Sequence, residues 1–177
     1  KIYIYIIENN GYSMGTSQNR SSAYKNCLAQ RAEAYDMDWD LVNGEDLYEV
    51  RAKTHIAMER ARKESKPTVL EIATYRYYGH SVADANAKKY RTPEEIEKYK
   101  TYHDPIRLWR RRLIEEAVFT DAEADAIDKE AKAEADQSAV FAEQSPPPTV
   151  ESIFEDVYWE VDNNTESGNT GRHFFND

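Results

Sequence analysis

The chain of 177 residues is 40% hydrophobic and 12% aromatic, enough for the core of one ordinary domain with an appendage. Its formal net charge of -10 argues against nucleic acid and anionic membrane as partners, and its single cysteine, Cys27, excludes an internal disulfide. No apolar run approaches the roughly 18 residues that span a bilayer, and no charged-then-apolar leader pattern is present, so a cytoplasmic protein is expected.

Taken in chain order, Ile2 to Ile7 is uninterrupted apolar and aromatic, the pattern of a strand covered on both faces in a parallel sheet. It stands first, with no Met before it, as expected of a fragment, and stops at Glu8-Asn9-Asn10-Gly11. Ser21 to Tyr35 is alanine-rich and reads as a helix. Trp39 to Gly44 is a short strand ending at a turn. Glu45 to Glu64 carries Leu47, Val50, Ala57 and Ala61 at helical spacing. Pro67 to Tyr75, β-branched and apolar, reads as a second buried strand. This alternation is the grammar of an α/β layer with a parallel sheet.

Residues 76–91 have no period, and a connection of that length is usually functional or disordered. Thr92 can then cap a helix with Pro93 in its first turn and Glu95 completing a capping box. Asp104 and Pro105 open a second helix, and Thr120 to Glu123 heads a third that runs to about Gln144 and ends before Pro146 to Pro148. A short helix is expected over Val150 to Trp159, with Ile153, Phe154, Val157 and Tyr158 on its apolar side. The expected division is an α/β part over 1–92, including the loop 76–91, a helical part over 93–160 and an extended tail over 161–177.

Two places invite a chemical reading. Ligands of parallel sheets bind beyond the carboxyl ends of the strands, where the amide oxygens of Asn9 and Asn10 can reach a hard cation such as Mg²⁺. The plain alternative is a turn, since Asn-Gly is a common turn dipeptide. In the loop after the second buried strand, Arg76 and three tyrosines surround Gly79 and His80, whose imidazole suits proton transfer near neutral pH. The alternative there is a surface histidine in a mobile loop, with Ser81 a loop serine. The arginines of Arg107 to Leu113 read as a solvated or ion-paired helix face, His103 as part of a helix entry, and Cys27 as a packed thiol.

Four motifs in order carry a resemblance: ENNGYSMGTS (8–17), TYRYYGHS (74–81), YRTPEEI (90–96) and DPI (104–106). Together they resemble the α subunit of thiamine-diphosphate-dependent 2-oxoacid dehydrogenases, closest to the acetyl-transferring pyruvate dehydrogenase branch, from residue 1 to about Trp159. The resemblance implies part of a thiamine diphosphate-binding α/β fold followed by helices that contact other subunits, with Phe174 and Phe175 of the tail against a neighbour. It implies that Asn10, through its side chain, and Tyr12, through its carbonyl, hold Mg²⁺ against the cofactor's diphosphate. His80 then matches the catalytic histidine of the cofactor-facing loop, which also carries Arg76. Ser81 matches a serine phosphorylated in mitochondrial relatives, a regulation not expected in this acidic, bacterial-type chain.

The implied partners are a β subunit, in an assembly of two α and two β chains, and a lipoyl-bearing acyltransferase. The implied reaction is oxidative decarboxylation of pyruvate, the product of glycolysis. Two departures stand out: Tyr78 replaces a histidine frequent in relatives, and the Gly-Asp-Gly half of the cofactor motif is expected upstream of Asn9. Acetoin and branched-chain 2-oxoacid dehydrogenases are the sister alternatives. A non-catalytic assembly fragment is the alternative of another class.

Overall fold

The computed structural model describes residues 3–24, 26–84, 89–155 and 157. The expected tail over 161–177 and the last part of the helix expected over Val150 to Trp159 lie outside the described residues. Two compact units are formed, Lys1–Ala124 and Asp125–Asp177.

The first unit is built on strands β1 (Ile4–Asn9), β4 (Asp38–Asn43) and β5 (Thr68–Ala73), parallel and ordered β1-β5-β4. Ile4 and Asp38 both pair with Thr68, and Asn9 and Asn43 both pair with Ala73, so the three strands end level. The fold is therefore α/β, as the alternating pattern predicts. Strand β5 is flanked on both sides, and Thr68, Leu70 and Glu71 are each buried. On one face, helix α2 (Leu47–Glu64) lays the small side chains Ala57 and Ala61 against the sheet, and Val42, Ala57 and Leu70 form the core, with Ile4, Val50 and Ile72 packed around them. The helix starts where Asp46 accepts hydrogen bonds from the Tyr48 and Glu49 amides, a cap worth about 1 kcal/mol. Gly44 closes the turn before it, because an added Cβ would stand 2.3 Å from the Ala73 carbonyl oxygen.

Three expectations need correction. Strand β1 is not covered on both faces: among the described residues it pairs with β5 alone, Tyr5 and Ile6 on it are each just over half exposed, and so is Tyr3 before it. The helix expected over Ser21 to Tyr35 is not continuous. A short helix α1 (Gln18–Ser21) stops where Ser22 turns extended and its hydroxyl takes the Tyr24 amide, a local bond that competes with helix. The Leu28 and Ala29 amides are then drawn to the Glu71 carboxylate, and the chain resumes as a 3₁₀ helix over Ala29–Tyr35, ending at Asp36 in the left-handed region. Finally, Thr92 caps helix α3 (Pro93–Tyr102) as expected, but Glu95 does not close a capping box there, because its carboxylate is taken by Arg91 and Tyr75.

A two-stranded antiparallel ribbon, β2 (Tyr12–Ser13) and β3 (Thr16–Ser17), follows β1 directly. Helix α4 (Pro105–Glu115) is capped by Asp104, and Thr120 with Glu123 forms the predicted capping box ahead of helix α5 (Asp121–Gln144). Arginines of α4 pair with acids as expected, Arg110 with Asp121 and Arg112 with Glu116 and Asp46. In the second unit, the Ser145 hydroxyl bonds back to the Phe141 carbonyl at 2.7 Å before the prolines, and a 3₁₀ turn covers Glu151–Phe154. Among the described residues, no helix is long and apolar enough to cross a membrane.

Candidate active site

Because β1 and β5 are parallel neighbours, the corner after Asn9 and the loop after Ala73 leave the same end of the sheet side by side. The Thr74 amide donates to the Asn9 carbonyl at 2.9 Å, which fixes that adjacency. Two segments more than sixty residues apart in sequence thus meet at the carboxyl ends of two strands, where ligands of such sheets bind.

The corner is a run of short side-chain bonds. The Asn9 amide oxygen accepts from the Gly11 amide at 2.8 Å, and the Asn10 amide oxygen accepts from the Tyr12 amide at 3.1 Å. Gly11 makes this possible with a φ of 80°, a conformation that side chains resist. The corner is thus the plain turn that the Asn-Gly dipeptide suggests. It offers the Asn10 side-chain oxygen, which has a second lone pair, and the backbone carbonyl of Tyr12. Both are neutral oxygens of the kind Mg²⁺ accepts. Among the described residues no group of three His, Cys, Asp or Glu is placed to hold an ion, and these two neutral oxygens leave a cation's charge to be met by other ligands.

Arg91, which sequence reasoning passed over, binds the corner to the rest of the site. Its guanidinium is buried, donates to the Asn10 carbonyl at 2.6 Å and to Glu95 at 2.7 Å, and lies over the rings of Tyr12 and Tyr75. Its Nε, enclosed beside these rings, makes no hydrogen bond among the described residues. The Tyr12 hydroxyl donates to the Tyr90 carbonyl, and the rings of Tyr12 and Tyr90 lie 5.1 Å apart.

Arg76 holds the loop in the same way. It donates to the Met14 carbonyl at 2.8 Å, to the Tyr90 hydroxyl at 3.0 Å and to the Tyr78 carbonyl at 3.1 Å. Its remaining nitrogen stands 3.4 Å from His80 Nδ1. A guanidinium only donates, so this contact leaves the hydrogen of a neutral imidazole on Nε2. Asp84 accepts from the His80 amide and from the Tyr90 hydroxyl, both at 3.4 Å, and its own amide reaches the Ser81 hydroxyl. His80 itself is exposed, as is Tyr78, which lends only its carbonyl to the network. The predicted residues Asn10, Tyr12, Arg76 and His80 thus belong to one connected set, with residues 85–88 of the loop outside the described residues.

Behind Tyr75 lies a separate cavity of about 240 Å³ between the ends of β4 and β5 and helices α3 and α4. Tyr99 stacks on Tyr75 there, and His103 meets Glu45 at 3.0 Å, so this histidine bridges a helix end to the β4–α2 turn. Burial, then the hydrogen bond to Asp104, pushes Tyr77 up to about 12, which keeps its hydroxyl a neutral donor.

The other residue that sequence reasoning missed is Glu71. It is 1% exposed at the centre of β5, and accepts from Asn9 Nδ2 at 2.5 Å, from the Ala29 amide at 2.8 Å and from the Leu28 amide. A glutamate inside the otherwise apolar run Val69-Leu70-Glu71-Ile72 is the signal that marks it. Burial pushes its carboxyl up, but the bonds from Asn9, Ala29, Cys27 and Leu28 outweigh this and hold it below the usual carboxylate value. Cys27 is packed as expected, its thiol pushed up by burial and by Glu71.

With the folded-state value of Glu71 below the unfolded one, its stabilisation is complete above about pH 4.5 and is lost as pH falls toward the folded value. The urea midpoint of the wild-type chain is expected to fall more steeply below pH 4.5 than that of Glu71→Gln. Parallel curves would mean that the carboxylate titrates alike in the folded and unfolded states.

Residues 2–151 match the family described as dehydrogenase E1 component. Among curated proteins, the chain is 39% identical over 154 residues to the pyruvate dehydrogenase E1 component subunit alpha of Rhizobium meliloti, covering 87% of this chain and 43% of that protein. It is 37% identical to the protein of the same name from Rickettsia bellii, covering 88% of this chain and 46% of the relative. It is 36% identical to the testis-specific mitochondrial form from Rattus norvegicus, covering 88% and 39%. The chain spans less than half the length of each of these relatives. On the strength of the family match and of these identities, the chain belongs to the dehydrogenase E1 component family.

Proposed function

We propose that this chain is part of the α subunit of the decarboxylating component of a pyruvate dehydrogenase complex, requiring thiamine diphosphate and Mg²⁺. The observation that carries the reading is the meeting of the Asn10–Tyr12 corner with the Arg76–His80 loop, tied by Arg76 to Met14 and by Arg91 to Asn10. The relatives' printed names favour pyruvate over acetoin or branched-chain 2-oxoacids. They also favour an enzyme subunit over a non-catalytic assembly fragment.

In this reading Asn10, by its side chain, and Tyr12, by its carbonyl, would hold Mg²⁺, which would supply charge for the cofactor's diphosphate, and Arg76 and His80 would bind the cofactor. When bound, thiamine diphosphate supplies the nucleophilic carbon and the electron sink for loss of carbon dioxide from a 2-oxoacid. His80 moves a proton at Nε2, with Nδ1 set toward Arg76. Arg91 excludes water from the back of the corner by filling the space beside Tyr12 and Tyr75. Residues 1–92 are the cofactor-facing part and 93–160 the subunit contacts. A β chain completes the site in an assembly of two α and two β, and a lipoyl-bearing acyltransferase takes the acetyl group, in the cytoplasm of a bacterial cell.

The test uses the full α chain co-expressed with its β partner, following 2-oxoacid-dependent reduction of an artificial electron acceptor. Turnover of pyruvate that needs both thiamine diphosphate and Mg²⁺ is expected, and His80→Ala should lower it by roughly 10²- to 10⁴-fold. Asn10→Ala should raise the Mg²⁺ requirement instead. A complex that assembles but prefers acetoin or a branched-chain acid would move the substrate reading, and full turnover in His80→Ala would remove the histidine from the chemistry.

A further inference from the structure

Glu71 touches none of the residues assigned above to the cofactor, yet it is buried and fully committed. We propose that Glu71 is a positioning residue for the cation corner: its acceptor-only carboxylate dictates which way the Asn9 amide faces, and through it the turn that presents Asn10 and Tyr12. The inference rests on the reading of that corner as the Mg²⁺-diphosphate site.

The argument is one of donor and acceptor polarity. An ionised carboxylate accepts and cannot donate, so the Asn9 group facing it at 2.5 Å is the amide nitrogen. The second hydrogen of that nitrogen goes to Gln18 Oε1 at 2.7 Å. With two acceptors on one side, the Asn9 oxygen is left for the Gly11 amide on the other, at 2.8 Å. That bond forms the turn whose next step, Asn10 oxygen to Tyr12 amide, sets out the two ligating oxygens. The other Glu71 oxygen is held by the Leu28 and Ala29 amides, so the carboxylate cannot swing away. A glutamate on the central strand thus fixes the geometry of a corner on the edge strand.

The polarity can be reversed, which provides the test. In Glu71→Gln, the new amide must keep its oxygen toward the Leu28 and Ala29 amides, and its nitrogen then faces the Asn9 nitrogen. Asn9 can recover one bond only by flipping, which turns its nitrogen on the Gly11 amide. Asn9→Asp alone sets two carboxylates against each other. In the double variant Glu71→Gln/Asn9→Asp, the new amide nitrogen donates to the new carboxylate, whose other oxygen again accepts from Gly11, while the Gln18 amide turns over to donate to that carboxylate and gives up its bond to the Tyr24 carbonyl. The net charge is that of the wild type.

Both readouts use the full α chain in its complex with β: Mg²⁺-dependent binding of thiamine diphosphate by calorimetry, and hydrogen exchange of the peptide that carries Gly11 and Tyr12. Each single variant is expected to weaken Mg²⁺-dependent binding by roughly 10- to 100-fold, the range for outer groups that orient metal ligands. Each should also speed exchange at Gly11. The double variant should recover both. Should a single variant fail to assemble, assembly and slow exchange in the double variant support the inference equally. Unchanged exchange in Glu71→Gln, or losses in the double variant as large as in the singles, would overturn it. A wild-type complex that binds no thiamine diphosphate would instead remove the functional reading, and the exchange results would then decide the polarity argument alone.

Discussion

Arg91→Leu is expected to cost about 3 kcal/mol of folding stability, at the lower end of the range for removing one member of a buried ion pair. The side chain is only 4% exposed, whereas its partner Glu95 is 37% exposed and can return to water, which keeps the loss from being larger. What cannot return so readily is the Asn10 carbonyl, which loses a 2.6 Å charge-assisted bond, and the two rings that the guanidinium overlies lose a cation. Leucine fills part of the volume and supplies none of these. The check is a urea titration of the two chains together with exchange at the peptide carrying Asn10. A loss under about 1 kcal/mol would mean that the desolvation of this guanidinium nearly cancels its contacts. Arg91→Lys separates charge from shape, because an ammonium cannot serve the Asn10 carbonyl and Glu95 with the planar fork that arginine uses.

Leu70→Ala should cost a similar amount, about 3 kcal/mol within the range for leucine truncation in cores. Leu70 is 2% exposed on the central strand and packs with Val42 and Ala57. A strand hydrogen-bonded on both sides cannot shift inward to close the space, so little of the cavity term is recovered. Phe141→Ser is the contrast: the ring is 74% exposed on α5, and the change should stay within about 0.5 kcal/mol. Equal effects of the two substitutions in urea titrations would contradict the placement of the core.

The fold was legible in the sequence wherever one period dominated. Thr68 to Ala73 and Asp38 to Asn43 are strands because their alternation or apolar run survives from end to end, and α2, α4 and α5 begin at side chains that cap by local chemistry. Ser21 to Tyr35 was not legible, because its conformation depends on Glu71, some forty residues further on. No local window contains that carboxylate. The same holds for Glu95, whose spacing from Thr92 suits a capping box but whose carboxylate is claimed by Arg91 and Tyr75.

The candidate site divides along the same line. Asn10, Tyr12, Arg76 and His80 stand in short motifs that can be read in place. Arg91 and Glu71 act across 81 and 62 residues, on Asn10 and Asn9 respectively, and only the folded sheet discloses them.

Strand β1 carries a consequence for handling the protein. Its outer backbone groups meet no strand among the described residues, and Tyr3, Tyr5 and Ile6 offer β-favouring surface beside them. Such a margin accepts any compatible extended segment, including β1 of another copy. No proline or lysine interrupts Ile4 to Asn9 to discourage that pairing, and Glu8 is its one charge. Produced by itself at high concentration, the chain is thus prone to build oligomers by strand addition, and a negatively charged molecule of net charge -10 is not protected by repulsion at a seam that carries so little of that charge.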